Sequence, residues 1–83
     1  MRITLKLFAT LGDLLPAGAR ANTVDVEVHE GATPHQVIDQ FQVPRAMAHL
    51  VLLNGVYVEV DDRDKPIIHP GDAIAIWPPV AGG

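Results

Sequence analysis

The residues best suited to chemistry stand at the end of the sequence, Trp77-Pro78-Pro79-Val80-Ala81-Gly82-Gly83. Adjacent prolines cannot donate to a sheet ladder and hold φ near the polyproline value. The apolar strand that Ala73 to Trp77 would form must therefore stop there, and the chain must leave it extended. Gly82 and Gly83 lack a Cβ, so a partner's groove can close around their backbone and a reagent can reach the Gly83 carbonyl unhindered. The expectation is that the terminal carboxylate of Gly83 is the reactive group. Pro78, Pro79, Val80, Ala81 and Gly82 would then be the segment inserted into a partner, and the rest of the chain would hold and present it. The competing reading is an inert, frayed chain end.

Other side chains offer less. His29, His35, His49 and His69 are spread over four segments without paired metal-ligand spacing, which reads as ordinary surface or turn histidines. Asp61, Asp62 and Asp64 lack the glycine and distant glutamate of a calcium loop and read as a solvated charge run. Thr4, Thr10, Thr23 and Thr33 show no histidine and acid arranged to activate a nucleophile. No phosphate-binding loop occurs. The chain is therefore expected to bind no metal or cofactor and not to be catalytic alone.

Composition sets the outer limits. Eighty-three residues make one domain with a modest core, and 48% hydrophobic with 19% charged residues describes a folded chain. A net charge of −4 with scattered basic residues argues against nucleic acid and suits a partner with a basic docking surface. Without cysteine there is no disulfide framework, thiolate metal site or iron–sulfur cluster. No signal-peptide pattern and no membrane-length apolar run are seen, so no membrane association and a cytoplasmic location are expected.

The elements that must position the tail can be read in order. Arg2 to Ala9 alternates, with Ile3, Leu5 and Leu7 on one face and Thr4, Lys6 and Phe8 on the other. Thr10 to Leu15 reads as a short helical turn closed by Pro16, and Thr23 to Val28 as a second strand. Thr33-Pro34-His35-Gln36 carries a capping hydroxyl, a proline at the first helical position and a glutamine three residues after the cap. A helix with Val37, Ile38 and Phe41 as its apolar stripe should follow, ended by Pro44. His49 to Leu53 and Val56 to Val60 flank Asn54-Gly55, a hairpin signal because both turn residues tolerate positive φ. Glu59 to Lys65 reads as a solvated loop or strand end, and Ile67 and Ile68 as aliphatics tucked under the sheet. Ala73 to Trp77 is the last strand, with Ile74 and Ile76 on one face and Ala75 and Trp77 on the other.

Strand, strand, helix, strand, strand, strand is the order of an α+β fold. If the first two strands pair antiparallel and the last lies parallel to the first, the result is a mixed five-stranded β-grasp sheet with one main helix on one face. The division expected is a β-grasp body over 1–77 and an extended tail over 78–83. On this layout Phe8 and Trp77 lie on neighbouring strands, away from the helix, near the tail's departure. They read either as a second small core or as an apolar partner-binding patch.

Leu7-Phe8-Ala9-Thr10-Leu11-Gly12-Asp13-Leu14-Leu15, the Asn54-Gly55 hairpin, and above all Pro70 through Gly83 resemble the ubiquitin-like sulfur carriers. The nearest resemblance is to the small subunit of molybdopterin synthase (MoaD-like), with the thiamine-pathway carrier ThiS in the same wider family. It covers the whole chain and is concentrated in the last fourteen residues. Family members usually carry phenylalanine where Trp77 stands, and an Arg-Glu pair where Gly12 and Asp13 stand. The resemblance implies adenylation of the Gly83 carboxylate by a separate ATP-using enzyme related to ubiquitin-activating enzymes. Conversion to a thiocarboxylate with sulfur from a cysteine desulfurase or rhodanese would follow. Delivery to a pterin precursor in the large subunit of molybdopterin synthase would complete the path of molybdenum-cofactor synthesis. Carriage into thiamine or tRNA thiolation, a protein-modifying role, or a non-catalytic interaction module are the alternatives.

Overall fold

Alternation along the opening segment does what the pleat requires. Ile3, Leu5 and Leu7 are buried while Arg2 is exposed and Thr4 and Lys6 are half-buried, giving strand β1, Arg2–Leu7. The structure is a computed structural model that describes residues 1–79. Val80, Ala81, Gly82 and Gly83, on which the reactive-carboxylate and tail-insertion readings fall, lie outside the described residues. Strands β2 (Thr23–Glu27), β3 (Leu50–Leu53), β4 (Val56–Tyr57) and β5 (Ala73–Trp77) join β1 in one sheet of order β2-β1-β5-β3-β4. β1 runs antiparallel to β2 and parallel to β5, while β3 runs antiparallel to both β5 and β4. This is the mixed β-grasp arrangement that the order of elements predicts.

Helix α1, Pro34–Gln40, starts where its residues require. Gln36 N–H donates to Thr33 Oγ1 at 3.1 Å, and Thr33 N–H donates back to Gln36 Oε1 at 2.9 Å. Two backbone donors that the helix cannot satisfy internally are thereby paired. The helix ends before Pro44, because Gln42 adopts a left-handed φ of 61° and Val43 N–H returns to the Ile38 carbonyl. Val37 and Ile38 press into a core formed with Ile3, Leu5, Leu7, Val51, Ile74 and Ile76. Ile68 completes this layer and Ile67 packs against its margin, so both aliphatics tuck in as expected.

Three expectations need correction. The first strand stops at Leu7 because Ala9 takes a left-handed φ of 52°, turning the chain into a 3₁₀ turn over Ala9–Leu14. β4 is two residues long, not five: Val58 N–H still reaches the Val51 carbonyl at 2.9 Å, and from Val60 to Asp62 the chain coils into another 3₁₀ turn. The charged stretch from Glu59 to Lys65 is not uniformly solvated, since Arg63 is 4% exposed.

Truncation of Ile38, fully buried between helix and sheet, removes apolar contact and leaves a cavity. Ile38→Ala should lower unfolding free energy by about 2–5 kcal/mol, measured by denaturant titration. At the far end of the helix, Asp39 accepts two hydrogen bonds from Arg45, Nε to Oδ1 at 3.1 Å and Nη2 to Oδ2 at 2.8 Å. The side-chain hydrogen bonds to Arg45 lower the Asp39 pKa below its ordinary value. A depressed carboxylate contributes stability that is present above its unfolded pKa and lost as pH falls through its folded one. The small stability advantage of the wild-type chain over Asp39→Asn should therefore hold at neutral pH and vanish in acid, as paired pH-dependent melts would show.

Candidate functional site

The end of β5 is gripped from both sides. Phe8 N–H donates to the Ile76 carbonyl at 3.1 Å, and His49 N–H donates to the Trp77 carbonyl at 3.0 Å. The chain thus leaves the sheet between the end of β1 and the beginning of β3, with Pro78 buried and Pro79 exposed. Proline has no N–H to extend either ladder, which is why pairing ends at Trp77.

Register decides what surrounds this exit. β1 and β5 pair Leu5 with Ile74 and Leu7 with Ile76 on the helix side, which sends Lys6 and Ala75 to the outer side. Phe8 and Trp77 continue that outer row and stack with ring centroids 4.2 Å apart and planes 5° from parallel. Both rings are half-buried, and neither belongs to the helix-side core. The juxtaposition expected from the sequence is therefore met.

A larger apolar surface was not apparent from the sequence. Leu50 stands opposite Trp77 and Leu52 opposite Ala75, while Tyr57 stands opposite Leu52. Cross-strand partners share a face, so Leu50, Leu52 and Tyr57 extend the Phe8–Trp77 pair across β5, β3 and β4. The signal available was the unbroken aliphatic run Leu50–Leu53, since a strand apolar on both faces needs cover on both. Among the described residues, only the helix side has that cover. The outer half made by β2 and β1 is polar, with Thr4 Oγ1 donating to Asp25 at 2.9 Å and Arg2 Nε to Glu27 at 3.3 Å.

Two local features shape the rim. Asn22 Nδ2 donates to the Leu7 carbonyl at 2.9 Å, and a Cβ on Gly12 would come within 3.1 Å of that nitrogen. Asn22 therefore occupies the space beside the glycine that replaces the arginine usual in the resembling carriers. At the beginning of β3, Arg63 donates to the carbonyls of Val58 at 3.2 Å, Ala48 at 2.9 Å and His49 at 3.4 Å. Its guanidinium satisfies three backbone acceptors in the interior, which offsets the cost of burying the charge. That clamp fixes the peptide whose N–H holds Trp77.

The polar candidates remain apart. His35 Nδ1 lies 2.8 Å from Asp64, and His69 Nδ1 lies 3.9 Å from Asp72. The His29 ring meets the Glu30 carbonyl and Gln36, while Lys65 pairs with Asp62 at 2.7 Å, a hydrogen bond that raises the lysine pKa. Among the described residues no three histidines or carboxylates gather as a metal site. No helix among them is long and apolar enough to cross a membrane.

Comparison with known proteins gives a consistent picture. The Mut7-C ubiquitin family profile matches residues 1–82. The solution structure of the HVO 2177 protein of Haloferax volcanii is similar at 26% identity and a TM-score of 0.77, over 100% of this chain and 87% of that one. SAMP1 of Haloferax volcanii is similar at 28% identity and a TM-score of 0.66, over 100% of both chains. A chain in the complex of subunits 1 and 2 of molybdopterin-converting factor from Helicobacter pylori matches at 16% identity and a TM-score of 0.58, over 100% of both, a likeness of fold. No curated protein sequence matches. The ubiquitin-like resemblance read from the sequence is borne out.

The aromatic stack has a measurable energy. A double-mutant cycle on Phe8→Ala and Trp77→Ala should give a coupling of about 0.5–1.5 kcal/mol in unfolding free energy. A coupling near zero would mean that the rings merely lie side by side.

Proposed function

Because the chain belongs to the Mut7-C ubiquitin family, we propose that it is a ubiquitin-like carrier whose working group is the carboxylate of Gly83. A carboxylate is a poor acyl donor, so activation falls to a separate ATP-using adenylating enzyme related to ubiquitin-activating enzymes. The terminal sulfur of a persulfide on a sulfur donor such as a cysteine desulfurase or rhodanese attacks the acyl adenylate and expels AMP. A thiol then cleaves the resulting acyl disulfide, itself ending in a disulfide with the donor cysteine. The product is a thiocarboxylate on Gly83, which gives up its sulfur in molybdopterin synthesis on a larger catalytic subunit. The fold likeness to a chain of the Helicobacter pylori two-subunit complex supports a protein partner of that kind.

The observation that carries the proposal is the pairing of a proline exit with an apolar surface at one end of the central strand. Pro78-Pro79 leaves β5 beside the stacked Phe8 and Trp77, and Leu50, Leu52 and Tyr57 continue that surface. A partner that docks on this patch receives the tail in a fixed direction. The 28% likeness to SAMP1, also described as small archaeal modifier protein 1, favours a second reading. In it, the activated Gly83 acylates a lysine of another protein instead of accepting sulfur.

Co-expression with an adenylating enzyme and sulfur donor should replace one oxygen by sulfur at Gly83, visible by intact mass spectrometry. An unmodified terminus under conditions where the enzyme is active would sink the carrier reading. Conjugates that survive denaturing gels and disappear when Gly83 is deleted would favour the modifier reading over sulfur transfer. Adding one residue after Gly83 should abolish either activity without unfolding the domain. Trp77→Ala should weaken binding to the adenylating partner by about tenfold or more while circular dichroism stays native.

A further inference from the structure

The hairpin turn at the opposite end of β5 carries chemistry that the carrier function does not use. Asn54 and Gly55 are exposed, with φ of 51° and 83°. An asparagine followed by glycine is the pair most open to self-cyclisation, because no side chain shields the following backbone nitrogen. In the reaction Gly55 N loses its proton and bonds to Asn54 Cγ, the Cγ–Nδ2 bond breaks, and ammonia leaves with the proton. Water then opens the cyclic imide at either carbonyl, giving an aspartyl or isoaspartyl residue at position 54.

In the folded chain this amide is held from both sides. Asn54 Oδ1 accepts the Ala73 N–H at 2.9 Å, and Nδ2 donates to Asp72 Oδ1 at 2.9 Å. Asp72 is itself fixed by the His69 N–H, 2.8 Å from Oδ2, and the Asn54 N–H reaches the Ala73 carbonyl at 2.8 Å. For Cγ to swing onto Gly55 N, the turn must release the first residue of β5. We propose that Asn54 is a self-hydrolysing modification site gated by Asp72 and Ala73, and that its conversion is a one-way switch on the attachment of the hairpin to β5.

Loss of ammonia makes the conversion one-way, and the product explains why the contact does not re-form. Hydrolysis replaces the donor Nδ2 by a carboxylate oxygen facing Asp72, and two adjacent carboxylates cannot both stay ionised at that range. The link that the amide made must then open or trap a proton. An isoaspartyl linkage also lengthens the backbone within a two-residue turn whose geometry has no room for an added methylene.

The test is an ageing series at mildly alkaline pH, followed by intact mass and peptide mapping. It compares the wild-type chain, Asp72→Ala, and Val26→Ala, a core truncation on β2 remote from the turn. Asp72→Ala should convert position 54 several-fold faster than wild type, and Val26→Ala should not, although it also lowers global stability. The wild-type chain in denaturant should convert fastest. Equal rates in wild type and Asp72→Ala, equal acceleration by Val26→Ala, or no conversion in denaturant would each overturn the proposal. Asn54→Asp provides an independent arm. Crowding raises the folded pKa of one carboxylate, so the variant should be less stable than wild type above that pKa and recover as pH falls through it. A variant as stable as wild type at neutral pH would overturn the switch.

Discussion

Strand β5 has no free edge. Its backbone is hydrogen-bonded in parallel to β1 and antiparallel to β3, and Ile74 and Ile76 are fully buried against the helix. A slip of one residue in either pairing would turn both isoleucines outward and carry Ala75 and Trp77 into the core. Burial of two isoleucines thus sets the register, and the register sets everything about the exit. It puts Phe8 on one flank of Trp77 and Leu50 on the other, and it makes Pro78 the first residue beyond the sheet.

The second consequence is an uneven sheet. With one helix to cover one side, the outer side depends on its own side chains for compatibility with water. The half made by β2 and β1 achieves this with Thr4, Asp25, Arg2 and Glu27. The half made by β5, β3 and β4 does not, since Leu50, Leu52, Tyr57 and the stacked aromatics lie there. A continuous apolar surface, half-buried at Phe8, Leu50, Leu52 and Trp77 and exposed at Tyr57, is more informative on so small a body than any single exposed leucine. It lies beside the Pro78-Pro79 exit, where the proposed carrier role would need a partner to dock.

Much of this was legible in the residues because local rules and tertiary structure agree. Ile3, Leu5 and Leu7 alternate as a half-buried strand must, Thr33 and Gln36 form the capping box that their spacing announces, and Asn54-Gly55 makes the turn. The Phe8–Trp77 pair followed from topology, since parallel pairing of the first and last strands brings their outward residues together. What was hidden depended on distant partners. Leu50 and Leu52 sit in a continuous aliphatic run whose outward members are fixed only by pairing with β5. Arg63 looked solvated among acidic neighbours, yet its acceptors are carbonyls as far as fifteen residues away in sequence. The 3₁₀ turn at Val60–Asp62, beyond the short β4, is one that a mixed-sign charged stretch does not announce.

The strand at the centre of the sheet is also the latest of the five to be synthesised. Until Ala73–Trp77 has left the ribosome, β1 and β3 have no neighbour on their inner edges, and the core lacks Ile74 and Ile76. The β1–β2 and β3–β4 pairs form from nearer segments, but they cannot join into one sheet without β5. A nascent chain truncated before this strand therefore exposes two unpaired edges and a core opened at the places of Ile74 and Ile76, the state that chaperones and proteases recognise. Closure of the sheet therefore waits until β5 has emerged, and a chain without it cannot bring Phe8 and Trp77 together beside the Pro78-Pro79 exit.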